Sequence, residues 1–198
     1  MAASELLIRP ARPADAQVLG DLYTQHLYAS HLAKLGPRFV RALLTRLLNV
    51  PTVYGLVAED EQVRGFIVAA ALGAFSPTGL ALSTTVGSAW FRALWRRPGP
   101  TLRSLELLLP RREARPQGAG VELLFIALEP RYRAAGLGQR LTAELLGHFQ
   151  SEGTRWFEVS TQADNLAVHA LLQAFGFRVV RDYRLFGRTM WRWRKLVG

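Results

Sequence analysis

The run Val121-Glu122-Leu123-Leu124-Phe125-Ile126-Ala127-Leu128 carries one charge in eight residues. Within ten more residues come Gly136-Leu137-Gly138 and an amphipathic stretch to Gln150. No other feature of the chain constrains its fold as much. The apolar run reads as a buried strand, and Gly136 to Gln150 reads as a helix. Glycines at such a junction let the backbone approach a ligand and turn its N–H groups outward. The free N–H groups of the helix's first turn and the helix dipole then make an anion site, for which a pyrophosphate is the natural occupant.

Two common phosphate-binding patterns fail on the residues themselves. A dinucleotide fingerprint needs a third glycine near Leu141, and it is absent. A P-loop ends in Gly-Lys-Ser/Thr, whereas Gly138 is followed by Gln139-Arg140.

Around this junction the chain alternates between strand and helix patterns. Leu6 to Pro10 reads as a first strand, and Pro13-Ala14-Asp15 opens a helix with Leu19, Leu22, Tyr23 and Leu27 at helical spacing. Gly36-Pro37 breaks it, and a second helix follows with Phe39, Leu43, Leu44, Leu47 and Leu48 on one face. Val53 to Glu59 and Val63 to Ala71 flank Asp60-Glu61-Gln62 as a hairpin. Leu72 to Gly120 holds five prolines and two amphipathic pieces, around Ala89 to Trp95 and Leu102 to Leu109, and reads as an insertion with short helices. Beyond the junction, Arg155 to Thr161 is a strand and Asn165 to Ala174 a helix. Arg178 to Leu185 and Arg188 to Lys195 are strands about Gly187. The order β-α-α-β-β-insertion-β-α-β-α-β-β predicts an α/β (α+β) layered fold, a mixed sheet with helices on both faces, in one domain over 1–198.

Arg133-x-x-Gly136-x-Gly138, preceded by an apolar strand and Pro130 and followed by Leu141, resembles the acetyl-CoA loop of the GNAT N-acetyltransferase superfamily, Gln/Arg-x-x-Gly-x-Gly/Ala. Asn165-x-x-Val168-x-x-Leu171-Leu172-x-x-x-Gly176-Phe177 resembles that family's Asn-x-x-Ala-x-x-Leu-Tyr-x-x-x-Gly-Phe. Ile8-Arg9-Pro10 with Asp15, and the hairpin with Arg64-Gly65-Phe66, look like its opening strand and second hairpin. The resemblance covers most of the chain outside 72–120. It implies a twisted, mostly antiparallel sheet flanked by helices, with a helical insertion before the fourth strand. It also implies acetyl-CoA as cofactor and an amine as acceptor, and it leaves room for a homodimer. The residues it assigns to the cofactor are Ile126, Ala127, Leu128, Arg133, Ala134, Ala135, Gly136, Leu137, Gly138, Gln139 and Asn165. Backbone groups of Ile126 and Leu128 hold the pantetheine, and the Leu128 N–H polarises the thioester. Asn165 either caps its helix or bonds the pantetheine arm. Gly176 ends that helix, and Phe177 enters the core.

Amine acetylation needs a neutral amine, a polarised thioester and a proton for the leaving thiolate. Glu122, the lone charge in its strand, is the first candidate base, because burial raises carboxylate basicity; the alternative is a strand-end carboxylate facing solvent. The resemblance places a catalytic glutamate of one branch at this point, and one of another branch near Glu158, which otherwise reads as an exposed strand residue. The family's usual acid, a tyrosine, is replaced here by Leu172, which leaves His169 and Tyr183 as candidates or no dedicated acid.

Composition narrows the rest. There is no cysteine, so disulfides and thiolate chemistry are excluded. The four histidines have no metal-ligand spacing, and no metal site is expected. The N-terminus lacks a secretory pattern and the apolar stretch Gly65 to Leu82 is broken by Ser76-Pro77-Thr78, so no membrane span is expected and the expected location is cytoplasmic. A net charge of +10 invites an anionic partner. The tail Met190-Trp-Arg-Trp-Arg-Lys195 alternates aromatic and basic residues and raises a nucleic-acid reading. The expected outcome is instead Trp191 and Trp193 in the core with Arg192 and Arg194 in water. A non-catalytic acyl-CoA-binding domain is the other alternative. Phe75, Trp90, Phe91 and Trp95 suggest an apolar-walled acceptor cleft or, equally, core.

Overall fold

The computed structural model describes residues 6–27, 30–72, 84–108 and 116–197. Seven strands form one sheet in the order β1-β2-β3-β4-β5-β7-β6. They are β1 (Leu7–Pro10), β2 (Val53–Glu59), β3 (Val63–Ala71), β4 (Gly120–Leu128), β5 (Trp156–Gln162), β6 (Arg178–Leu185) and β7 (Arg188–Leu196). Every neighbouring pair is antiparallel except β4 and β5. A parallel pair cannot be joined by a tight turn, so the chain crosses from β4 to β5 through a helix.

Helices α1 (Ala16–His26) and α3 (Pro37–Leu47) cover one face, with the single turn α2 (His31–Lys34) between them. Their apolar stripes bury Leu19, Tyr23, Val40 and Leu44 against Val57, Phe66 and Val68. Such side chains contribute about 1.5–3 kcal/mol each when fully buried. The opposite face takes α7 (Leu137–Ser151) and α8 (Leu166–Ala174), whose Leu141, Leu145, Phe149 and Leu172 pack on Ile67, Leu123, Phe157 and Trp193. Gly176 has φ 78° and ends α8, and Phe177 enters the same core.

The described residues 84–108 before β4 are helical, as the amphipathic pieces predict: α4 (Thr84–Arg96), α5 (Pro98–Arg103) and a 3-10 turn at Ser104–Leu108. Val86 anchors it on Phe39, Leu43 and Leu47 of α3. Of this segment's aromatic residues, the described Trp90, Phe91 and Trp95 do not wall the cavity beside β4. Trp90 is half-buried, with Nε1 donating to Ser104 Oγ at 2.8 Å, while Phe91 and Trp95 are exposed. Phe75 lies outside the described residues. Helix α6 (Pro130–Arg133) falls where the sequence pattern reads as loop, and α2 is a separate single turn where the pattern runs one helix on to Gly36-Pro37. Single turns have too few residues to establish a period.

The C-terminal strand corrects one expectation. Trp193 is buried and Trp191 packs beside it, but Arg192 is also buried and does not face water. The register explains it: Arg194 lies opposite Glu158, so β5 brings a carboxylate to the arginine face of β7. Among the described residues no helix is long and apolar enough to cross a membrane.

Candidate active site

β4 and β5 run side by side only from Gly120 and Trp156 to Leu123 and Val159. Beyond that point β4 continues to Leu128 paired with β3 alone. The divergence coincides with a bulge. Val68 faces Phe125 and Ala69 faces Leu123, so Leu124 is the extra residue on β4.

The direction of the freed backbone groups follows from the ladder. Glu129 N–H donates to Arg64 O at 2.9 Å. Hydrogen-bonded and non-bonded pairs alternate along an antiparallel ladder. Ala127 and Phe125 therefore share their peptide groups with β3, while Ile126 and Leu128 turn theirs toward the gap. One of these groups is engaged: Leu128 O accepts from Arg133 Nε at 3.3 Å. Of the three residues the pattern Ile126-Ala127-Leu128 nominates, the ladder leaves the first and third open.

The gap leads to the start of α7. Gly136 takes φ 77°, a left-handed conformation that costs other residues about 1–2 kcal/mol, and it caps a helix with no side-chain cap. The N–H groups of Leu137, Gly138 and Gln139 precede the first intrahelical bond, Arg140 N to Gly136 O at 3.1 Å. A Cβ on Gly138 would come within 3.2 Å of Leu128 Cδ1, so glycine brings this turn down onto the end of β4. Ala134, Ala135 and Gln139 are exposed around the turn, and Leu137 is buried beneath it. Arg133 folds back over the opening, its Nη2 donating to His26 O at 3.4 Å.

A cavity of about 930 Å³ occupies the gap and reaches both faces of the sheet. On the α7–α8 side its wall includes Thr142, Asn165, Val168 and Leu171; on the α1 side it includes Tyr23 and His31. Thr142 has a fully buried hydroxyl with no partner. No sequence motif singles it out, although it lies one helical turn from Gly138, on the same face. Asn165 Oδ1 caps α8, accepting from Val168 N at 3.4 Å. Leu172 is buried on this wall, so no hydroxyl stands there.

The three candidate catalytic side chains gather around Arg192. Arg192 Nη1 donates to Glu158 Oε1 at 2.9 Å and to Glu122 Oε1 at 3.2 Å. Its guanidinium carbon lies 5.5 Å from the Tyr183 ring centroid. Glu158 is fully buried and also accepts from Arg194. Glu122 keeps 29% side-chain exposure, so it is not the buried lone charge its strand suggests. The reason is tertiary: the register sets Glu122 beside Glu158 on β5, and one arginine from β7 serves both. The cavity wall begins at Leu123 and includes neither glutamate. His169 sits on the other face, with Nε2 3.0 Å from Gln162 O and 3.1 Å from Thr161 Oγ1, stacked on Trp191. It is a satisfied core histidine. Among the described residues no cluster of His, Asp or Glu could hold a metal ion.

The model of the Acetyltransferase (GNAT) family matches residues 22–177. Solved structures with the same fold include Arabidopsis thaliana NAA60 in complex with acetyl-CoA, at 17% identity and TM-score 0.64, covering 98% of this chain and 99% of that one. A Drosophila melanogaster polyamine N-acetyltransferase aligns at 12% identity and TM-score 0.64, covering 98% and 100%. The putative acetyltransferase yncA from Salmonella typhimurium, with its cofactor acetyl-CoA, aligns at 15% identity and TM-score 0.59, covering 98% and 95%. No curated protein matches the chain.

Proposed function

The chain belongs to the acetyltransferase (GNAT) family, and on that premise we propose that it moves an acetyl group from acetyl-CoA directly to a primary amine. The observation that carries this reading is the opening of β4 from β5 after Leu123, which frees peptide N–H groups beside a glycine-started helix.

The residues present fit the donor molecule. A pantetheine arm carries amides that need partners in a narrow apolar gap. The Ile126 backbone, the unpaired Thr142 hydroxyl and the Asn165 side chain supply them. A pyrophosphate needs several N–H donors and a cation, and the first turn of α7 with Arg133 offers both. Acetyl-CoA, when bound, supplies an activated acetyl group on a thiolate leaving group.

In this reading the Leu128 N–H, fixed by the β3–β4 ladder, donates to the thioester oxygen as negative charge develops there. The amine nitrogen forms the new C–N bond, the C–S bond breaks, and the ammonium proton passes to solvent or to a base. Glu122 is the proposed base. It lies next to the wall at Leu123 and retains solvent contact, so a proton reaches it through water. Glu158 holds Arg192 in place, and Tyr183, whose ring lies beside Arg192, is the proposed hydroxyl for the departing thiolate.

Leu172 favours a second reading, in which the domain binds an acyl-CoA without turning it over. A panel of primary amines, with thiol detection of released CoA and calorimetric titration of acetyl-CoA, separates the two. Micromolar acetyl-CoA binding with amine-dependent CoA release supports transfer. Binding without release for every amine class sinks it.

A further inference from the structure

The outer end of the cavity is built on a strained residue. Phe186 is the only non-glycine with positive φ among the described residues, at 54°. With Gly187 at φ 72° it makes the two-residue turn between β6 and β7, where asparagine or glycine is usual. An aromatic residue there costs about 1–2 kcal/mol, and such strain persists only where the surroundings hold it. Here they hold it on three sides. The Phe186 N–H donates to Glu106 Oε2 at 2.7 Å. Phe186 O accepts from Arg103 Nη1 at 3.4 Å. The ring stacks on His31 at 3.6 Å with an interplanar angle of 10°.

The stack orients an imidazole with an unmet need. His31 lines the cavity, and its Nε2 is buried with no hydrogen-bond partner. Burial pushes its pKa down to about 4, so the ring is neutral near pH 7. A buried polar atom without a partner is unfavourable by about 1–3 kcal/mol, which a bound ligand can relieve.

The charges around it are mostly positive, Glu106 and Asp164 apart. Lys34, Arg103 and Arg188 line this end. Arg188 bonds the neutral Gln162 side chain, and Glu106 is taken up by Phe186 and Arg103. Asp164, on the turn after β5, is the only carboxylate on the wall among the described residues. A polycationic amine would meet like charges here, while an anionic group would meet complementary ones.

We infer that the acceptor is an amine that also carries a carboxylate, which sits between the His31 imidazole and the Arg103 guanidinium with Lys34 beside them. The inference rests on reading this cavity as the acceptor side of an acetyltransferase. In its Nε2–H form His31 donates one hydrogen bond to the carboxylate, and the Phe186 stack holds the ring in place.

Binding tests this without requiring turnover. Protein saturated with CoA is titrated calorimetrically with N-acetyl amino acids, their neutral amides and N-acetylspermidine. At least one carboxylate is expected to bind about tenfold tighter than its amide, the weight of one hydrogen bond to a charged group. His31→Phe, which keeps the stack and removes the nitrogen, brings that ratio to about twofold or less with CoA affinity unchanged. Lys34→Gln, at an exposed position, lowers it in the same direction. Equal binding of acid and amide, tighter binding of N-acetylspermidine, or no binding of any of them beside bound CoA overturns the inference. If the acid–amide ratio holds but the free amino acid is not acetylated, the transfer reading falls and the carboxylate site stands.

Discussion

The two ends of one cavity are made of different materials. The end at β4, α6 and α7 is made of backbone: peptide groups of Ile126 and Leu128, the first turn of α7, and two glycines that let the chain come close. The end at α2, α5 and the β6–β7 turn is made of side chains from three distant segments, His31, Arg103 with Glu106, and Phe186. Backbone presents the same donors whatever the side chains are, so the first end suits a partner common to many chains. Side chains carry charge and shape, so the second end can differ in every member of a fold. The Glu122–Arg192–Glu158 cluster, beside the wall at Leu123, belongs to neither.

Removing part of that cluster should have the largest effect. Glu158→Ala leaves the Arg192 guanidinium buried without its main partner and should destabilise the fold by about 3–5 kcal/mol in denaturant titration. A loss below about 1 kcal/mol would mean that the sheet, and not the ion cluster, holds this part of the interior.

Glu122→Gln tests whether chemistry is separable from the backbone end. Turnover should fall at least about tenfold, against the roughly 10²–10⁴-fold that a positioned general base contributes, with acetyl-CoA affinity near wild type. An unchanged rate moves the role to Glu158 or to water alone.

Gly136→Ala addresses the backbone end itself. Left-handed strain of about 1–2 kcal/mol should appear in thermal melting and in weaker acetyl-CoA binding, with acceptor discrimination unchanged. A shift in acceptor preference would show that the two ends are not independent.

Phe186→Asn is the complementary change at the side-chain end. Relief of turn strain and loss of the His31 stack, about 0.5–1.5 kcal/mol for a ring pair, should nearly cancel in stability. Acceptor KM should rise while the acetyl-CoA Kd stays put.

The remaining effect is with pH. Burial lowers the folded pKa of His31 from 6.5 to about 4, and burial, then Arg133, lowers that of His26. The unfolded chain binds more protons in this window, so stability is fully present above about 6.5 and declines as pH falls toward 4. His31→Phe should flatten part of that decline in melting temperature measured from pH 7 to 4. A parallel curve would assign it elsewhere.

Much of the fold was legible because its signals are local. The hairpin of Val53–Glu59 and Val63–Ala71 falls where Asp60-Glu61-Gln62 separates two apolar runs, and α7 starts where Gly136 and Gly138 announce it. Glu122, Glu158 and Tyr183 were legible as candidates, but not their meeting at Arg192. That meeting depends on the register of four strands from residues 120–196, and no period in the chain encodes a partner across strands. Thr142 was within reach through its i+4 spacing from Gly138. His31 was not, since nothing around Ser30-His31-Leu32 distinguishes a cavity histidine from a surface one.

The sequence by itself determined the strand–glycine–helix junction from Val121 to Gln150, because conformations at positive φ and free helix N–H groups follow from residues close together in the chain. Only the tertiary structure decided that β4 leaves β5 at Leu123, that Arg192 is buried between two glutamates, and that Phe186 presses His31 into the cavity. Those arrangements join segments up to about 155 residues apart, from His31 to Phe186, and form only when the whole sheet has closed around them.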